Sequence, residues 1–433
     1  MSADTESAGR VREFGTAVAD GWTRERFGVL AAVGAILLSF GPSFQVFLFT
    51  EFLIIALFAL GFNLLYGYTG LLSFGHGMFY AGGAYGLAIV LRDLTPFVAD
   101  VVGAGLAPLV TFGLGAFAGV ALVVVVAIPV GWLSVRLEEI YFALITLAFG
   151  MLAFSFIIQN PGGLTNGTDG IIILLGTVEV AGMEFRIGDR RLYYFLTVGV
   201  VAAGIYAVWR IVNSPFGTVC KAIRESPDRA AALGIDVTHH RWMTFILSAA
   251  VVAVAGVLRA GLASVASPYL SHWSTSAIAV VATVIGGATY FAGPIVGAFV
   301  YLYVRWGISR FPALEAHWEL FFGALLIGIV LYFKAGAVGG LLLLRDRFFG
   351  DDGDEGSDGD GDGGDAVATD GGETVATATD GTATDGTATG ATATDGTATD
   401  GTATDGTATG ATATDAGVAD TDRTTDDHRG EGS

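Results

Sequence analysis

The chain has 433 residues, of which 53% are hydrophobic and only 15% are charged. Soluble domains average about 25% charged residues, and the apolar residues here are gathered into long uncharged runs, so a soluble globular fold is excluded. The net charge of -19 lies wholly beyond residue 350, where 21 acidic residues meet 2 basic ones, leaving 20 of each sign before it, so no acidic binding surface on the body is implied.

Residues 1–26 are polar and hold Arg10, Arg12, Arg24 and Arg26. They lack the pattern of a cleaved signal peptide and are expected to remain as a cytoplasmic N-terminus. Apolar runs then predict membrane segments at 27–41, 46–66, 72–91, 103–133, 141–158, 192–212, 241–263, 276–304 and 315–344. Each is near or beyond the ~20 residues that a bilayer core requires, apart from the short first one. The 276–304 run is too long for one simple pass and carries Gly286, Gly287, Gly293 and Pro294 near its middle. It is expected to divide into two shorter helices joined inside the membrane, where protein covers the freed backbone groups. The fold class is therefore all-α, a polytopic helical membrane protein of about 9–10 transmembrane helices, with 27–349 as the transmembrane domain.

Orientation follows from Lys and Arg in short loops. The N-terminus, the loop 213–241 with Lys221, Arg224, Arg229 and Arg241, and the junction at Arg345 and Arg347 are all cytoplasmic if 276–304 crosses twice. The loop from Gln159 to Arg191 then lies outside. The segment 350–433 repeats Thr-Ala-Thr-Asp-Gly, as at 377–381 and 392–396, and has no Leu, Ile, Met or aromatic residue. Without apolar side chains to bury it is expected to be a disordered, solvated, acidic tail in the cytoplasm.

Three motifs stand out in chain order. The first, Gly61-Phe-Asn-Leu-Leu-Tyr-Gly-Tyr-Thr-Gly-Leu-Leu-Ser-Phe-Gly-His-Gly-Met-Phe-Tyr-Ala-Gly-Gly-Ala-Tyr85, places Asn63, Ser73 and His76 at membrane depth. Polar residues there either bond neighbouring helices or serve a pathway. Its Gly- and hydroxyl-rich centre, Gly67 to Ser73, predicts an irregular or re-entrant stretch. The second, Asn160-Pro-Gly-Gly-Leu-Thr-Asn-Gly-Thr-Asp-Gly-Ile171, demands turns; it is either a plain connection or offers Thr165, Thr168 and Asp169 to a polar solute. In the third, Ser214 to Asp236, Ser226 can cap a short helix that begins with Pro227 and Asp228, and Gly234 can end it. A short amphipathic helix between spans is either an ordinary connector or a plug for a cytosolic motor.

Together, these motifs resemble the permeases of branched-chain amino-acid ABC importers over roughly residues 45–340. The 61–85 stretch is similar to that family's Gly-Leu-Asn-Leu-Leu-x-Gly-Tyr-x-Gly-x-x-Ser-x-Gly-His signature. Leu164 to Ile171 resembles a Leu-Thr-Gly-Gly-Thr-Asp-Gly segment typical of the LivM-type subunit, with Asn166 in place of a glycine. Ala222 to Ile235 resembles the coupling loop. The resemblance implies the ABC importer permease fold in the plasma membrane and transport of leucine, isoleucine or valine. It implies a second homologous permease subunit, two ATP-binding subunits and an extracytoplasmic solute-binding protein. It places Glu225, Asp228, Ala230, Ala231, Leu233 and Gly234 at the ATPase contact, and offers Asn63, Ser73, His76, Thr165, Thr168 and Asp169 as pathway candidates.

Catalytic, metal and nucleic-acid sites are not expected. A phosphate-binding loop needs a lysine after glycine and before Ser or Thr, and neither Lys221 nor Lys334 is so placed. The chain is thus expected to be no enzyme and to bind no cofactor, with ATP and Mg held by partner chains. His239 and His240 lack partners at ligand spacing. Rival readings are the same machine carrying urea or a short amide, and an ion-coupled secondary transporter working alone. The latter needs an intramembrane carboxylate, for which Glu51 is the candidate; Arg259 also lies within a span.

Overall fold

In hydrocarbon, a peptide group can satisfy its hydrogen bonds only within the protein, so apolar runs become helices. The computed structural model describes residues 41–180 and 183–310, with positions 320, 323, 327 and 328. The N-terminus 1–26, the tail 350–433 and nearly all of the expected spans 27–41 and 315–344 lie outside the described residues.

The helices are α1 (Ser43–Thr69), α2 (His76–Val102), α3 (Ala107–Ser134), α4 (Glu139–Gln159), α5 (Arg190–Val212), α6 (Pro215–Glu225), α7 (Pro227–Ala232), α8 (Val237–Ala263), α9 (Trp273–Gly286) and α10 (Gly293–Ser309). Among the described residues, α1, α3, α4, α5 and α8 are long and apolar enough to cross a membrane. The wholly helical expectation misses four short strands: β1 (Ile171–Ile172), β2 (Thr177–Val180), β3 (Met183–Arg186) and β4 (Val265–Ala266). β2 and β3 form a hairpin, and β1 pairs antiparallel with β4 through Ile171 opposite Ala266. The β1–β4 pair satisfies backbone groups where the chain leaves α8, which no local sequence pattern announces.

The core is centred on α1, α2 and α8. Phe58, Phe62, Phe79, Phe142 and Phe245 are buried together there. α1 and α8 run antiparallel, since Ser248 bonds Gly61 while Arg259 faces Glu51. Helices in a bilayer associate by close packing of small residues, and α2 meets α3 in this way: a β-carbon on Gly86 would strike Gly119.

The long 276–304 run does divide. α9 ends at Gly286, Gly287 takes the left-handed φ of 99°, and α10 begins at Gly293. Gly286 meets Gly293 and Ala282 meets Gly297, so the two helices form an antiparallel hairpin with no room for a side chain at Gly293 or Gly297. Pro294 sits at the second position of α10, where its missing N–H is no loss.

Candidate functional site

Two segments outside the α-helices enter the bundle and converge on the middle of α4, the second of them containing a 3-10 turn over Pro268–Ser271. The first, residues 70–75, follows α1, which ends at Gly70 with φ 80°. The expected break is therefore displaced: Gly67 is still helical, and the irregular stretch begins three residues later. The Phe74 N–H donates to Thr146 Oγ1 at 3.3 Å, and Gly75 packs against Gly150. The second segment, residues 264–272, leaves α8 through β4, and Ser271 Oγ donates to the Gly150 carbonyl at 3.5 Å. α2 and α9 both start where these segments end. The first turn of α2 has orphan donors, and Ser276 of α9 accepts the Gly77 N–H at 2.8 Å.

At the start of α2, Ser73 and His76 belong to one buried network. His76 Nδ1 lies 2.8 Å from Ser73 Oγ, and Nε2 lies 2.9 Å from Ser248 Oγ. The Ser248 hydroxyl donates to the Gly61 carbonyl at 2.6 Å, so its oxygen is the acceptor for His76. The proton is accordingly assigned to Nε2, and Nδ1 accepts from the Ser73 hydroxyl. Phe62, Phe79 and Phe245 each stand roughly perpendicular to the imidazole, with ring centroids 5.3, 5.7 and 5.9 Å away. Ser73, His76 and Ser248 are all fully buried, so the network ties α1, α2 and α8 together inside this chain. Asn63 is also fully buried, and neither of its amide atoms has a hydrogen-bond partner. Its oxygen lies over Gly67, beside the Ala288 carbonyl of the α9–α10 turn. Asn63 is thus not joined to the Ser73–His76 pair.

Thr165, Thr168 and Asp169 lie in the loop that links α4 to α5. Asn160 organises that loop: its Oδ1 accepts from the N–H groups of Thr165 and Asn166, each at 2.9 Å. Thr165 donates its hydroxyl to Ile157 and is buried, whereas Thr168 and Asp169 are exposed. Asn166 has φ 61°, a conformation that asparagine tolerates better than most residues. In the span region, Arg259 Nη2 stands 3.9 Å from Glu51 Oε1, too long for a hydrogen bond but close enough for mutual attraction.

The loop 213–241 is folded. α7 spans Pro227–Ala232, the Ser226 hydroxyl accepts from the Arg229 N–H at 3.4 Å, and Gly234 has φ 85°. α6 was not foreseen, although Ser214 caps it just before Pro215. It packs through Gly217, Cys220 and Ile223, and Arg224 Nη1 donates to the Gly67 carbonyl near the end of α1 at 2.5 Å. Burial pushes the Cys220 thiol pKa up, and the Thr244 hydroxyl at 3.3 Å offsets this in part. Of the expected contact residues, Glu225, Asp228, Ala231, Leu233 and Gly234 are exposed. Leu233 is 83% exposed, while Ala230 is buried against its own chain and is withheld from any partner surface.

Sequence reasoning missed Ser248, Thr146, Ser271 and Ser276. The available signal was a hydroxyl at a helix-depth position, which marks many serines and threonines without telling which neighbour each will meet.

Residues 44–330 match the profile of the family described as branched-chain amino acid transport system / permease component. The high-affinity branched-chain amino acid transport system permease protein LivM of Salmonella typhimurium is 26% identical over 262 residues, covering 55% of this chain and 57% of that protein. LivH of the same organism is 27% identical over 299 residues, covering 66% of this chain and 91% of that protein. A probable LivM of Methanocaldococcus jannaschii is 25% identical over 222 residues, covering 46% of this chain and 62% of that protein. No solved structure matches the chain significantly.

Proposed function

This chain belongs to the branched-chain amino acid transport permease family, and from that premise we propose that it is the membrane subunit of an ATP-driven importer for leucine, isoleucine or valine. In this reading a second permease chain completes the pore, two ATP-binding chains supply hydrolysis, and an extracytoplasmic protein delivers the solute. Similarity to both LivM and LivH supports a permease pair. The loop 213–241 and its arginines face the cytoplasm, and the loop after α4 faces out. Both termini are then cytoplasmic.

The observation that carries the proposal is the construction of the 213–241 loop. α7 is short, capped at its start and closed by a left-handed glycine, and it presents Leu233 to solvent beside small alanines. α6 connects this knob to α1 through Arg224 and Gly67. A movement of bound ATPases at α7 is thereby passed to the bundle that holds the two broken segments. Alternating access requires only that the ATP-bound motors favour one of two arrangements of that bundle. Thr168 and Asp169 meet the solute at the outer mouth, whereas Asn63, Ser73, His76 and Thr165 serve the pathway by holding its wall. Glu51, the carboxylate that an ion-coupled carrier would need, faces Arg259, and this favours the ATP-driven reading.

The test is Ala231→Arg. An unpaired charge pressed into a partly desolvated contact costs several kcal/mol, while the spans are untouched. Normal membrane levels, weak ATPase association and little transport are expected. Wild-type transport with ATPases bound would remove α7 as the coupling element. An ion-coupled carrier would transport normally without copurifying ATPases.

A further inference from the structure

We propose that the apolar cleft between α2, α3 and α4 holds one tail of a membrane lipid, with the oxygen that links tail to glycerol accepting from the Tyr85 hydroxyl. The inference goes beyond the transport reading and uses it only to name the leaflet, the extracytoplasmic one. The cleft measures about 680 Å³. Its floor is α2, where Met78, Phe79 and Tyr85 are buried, and its rim is α3 and α4, where Leu122, Val126, Leu152 and Phe156 are exposed. It therefore opens sideways from the bundle, between α3 and α4.

Depth matches a single leaflet. Phe149 is the central residue of α4, and Gly75, just before α2, packs against Gly150, so the base of the cleft lies at mid-membrane. Ile89, Ile157 and Leu164 line its other end. From Met78 to Ile89 along α2 is ~16 Å at 1.5 Å per residue, close to the ~15 Å that is half the hydrocarbon core. Tyr85 stands ~14 Å along α2 from His76, near the edge of that core, where tails join glycerol. Its hydroxyl is buried without a hydrogen-bond partner, which is costly unless a ligand supplies an acceptor. Arg92 lies ~24 Å along α2 from His76, at headgroup level, and its Nη1 donates to the carbonyl of Leu164 at the mouth of the cleft, at 3.1 Å.

The lining selects the occupant. Water stays in a cavity only with ~2–4 polar partners, and apolar cavities are dry. Among the described lining residues the only side-chain polar groups are the Tyr85 and Thr165 hydroxyls, and Thr165 already donates to Ile157. The cleft is therefore no aqueous pathway. Helices in a bilayer seat on small residues, whereas this rim is built of Leu, Val and Phe side chains, which suit a thin, flexible tail better than a partner helix. The rest of this chain joins the described residues at 41, before α1, and at 310, after α10. α10 packs on α1 and α9, and none of these three helices contributes a described lining residue.

The test reconstitutes the full chain, with the chains that copurify with it, into phosphatidylcholine vesicles containing a trace of phosphatidylcholine with a diazirine in one tail. Adducts are mapped by mass spectrometry after irradiation at falling lipid-to-protein ratios. Phe117 and Phe195, exposed on regular helix, report ordinary boundary lipid. Adducts on Leu122, Phe149 and Ala153 that persist several-fold above those on Phe117 and Phe195 when lipid is scarce are expected. Ala153→Phe fills the cleft and should remove them while Phe117 labelling stays unchanged; Leu152→Trp, at an exposed position on the rim, makes the same test if Ala153→Phe does not fold. Tyr85→Phe keeps the shape and loses the hydroxyl, so lipid retained through detergent washes, counted by native mass spectrometry, should fall several-fold. Cleft labelling that tracks Phe117 at every ratio means boundary lipid only and overturns the inference. An unlabelled cleft means that protein covers it and overturns the inference equally. Undiminished retention in Tyr85→Phe overturns the part assigned to the hydroxyl.

Discussion

Ser248→Ala probes the buried network most directly. The substitution deletes one oxygen and two hydrogen bonds, that from His76 Nε2 at 2.9 Å and that to Gly61 at 2.6 Å. The two losses are unequal. The Gly61 carbonyl lies within α1 and keeps its helical environment, so losing the second bond costs roughly the 0.6 kcal/mol typical of an interhelical bond in a bilayer protein. His76 Nε2–H is left without an acceptor in a site walled by three phenylalanines, and an orphaned buried donor costs about 1–3 kcal/mol. Alanine returns about 0.5 kcal/mol through its better helix propensity. The net expectation is about 1–3 kcal/mol of destabilisation. Equilibrium unfolding in mixed micelles, followed by tryptophan fluorescence, measures it. The double variant with His76→Ala should then show a coupling energy of about 1 kcal/mol or more, because neither partner retains the other. A Ser248→Ala variant within ~0.5 kcal/mol of wild type, the range of an inconsequential surface change, together with zero coupling, would refute the assignment of Ser248 as the histidine's acceptor.

Further outcomes follow from single sites. Gly297→Leu drives a side chain into the Ala282 carbonyl of the α9–α10 hairpin; overpacking costs ~1–3 kcal/mol or more, and low membrane levels are expected, whereas wild-type amounts of folded protein would mean that the hairpin opens easily. Cys220, the single cysteine, is buried with a raised thiol pKa. A raised pKa keeps the thiol protonated, so maleimide labelling of native protein should be slow at neutral pH and accelerate only above the pH at which a free thiol does; rapid labelling at neutral pH contradicts the packing of α6. With Cys220 silent, Thr168→Cys, at an exposed position of the loop after α4, should react with an impermeant reagent from outside and Ala232→Cys should not, and the reverse pattern overturns the proposed orientation.

Much of this protein is legible in the sequence because bilayer physics acts on single residues. The scarcity of charge in the spans, the Gly/Pro break that divides 276–304, and the Ser226–Pro227…Gly234 cap pattern are each local, and each is found in the structure where the residues place it. The family resemblance was carried by the same local motifs. Other features depended on which helices become neighbours. Asn63 and His76 look alike as polar residues of one motif, yet His76 completes a network with Ser248, 172 residues away, while Asn63 has no partner. Ala230 and Ala231 are adjacent and chemically identical, but the turn of α7 buries the first and exposes the second. The sequence by itself determined that the chain spans a membrane and roughly where its long apolar helices lie, because hydropathy is short-range. Only the tertiary structure decided that residues 70–75 and 264–272 meet at Gly150, because that outcome is set by helix crossings between segments far apart in the chain.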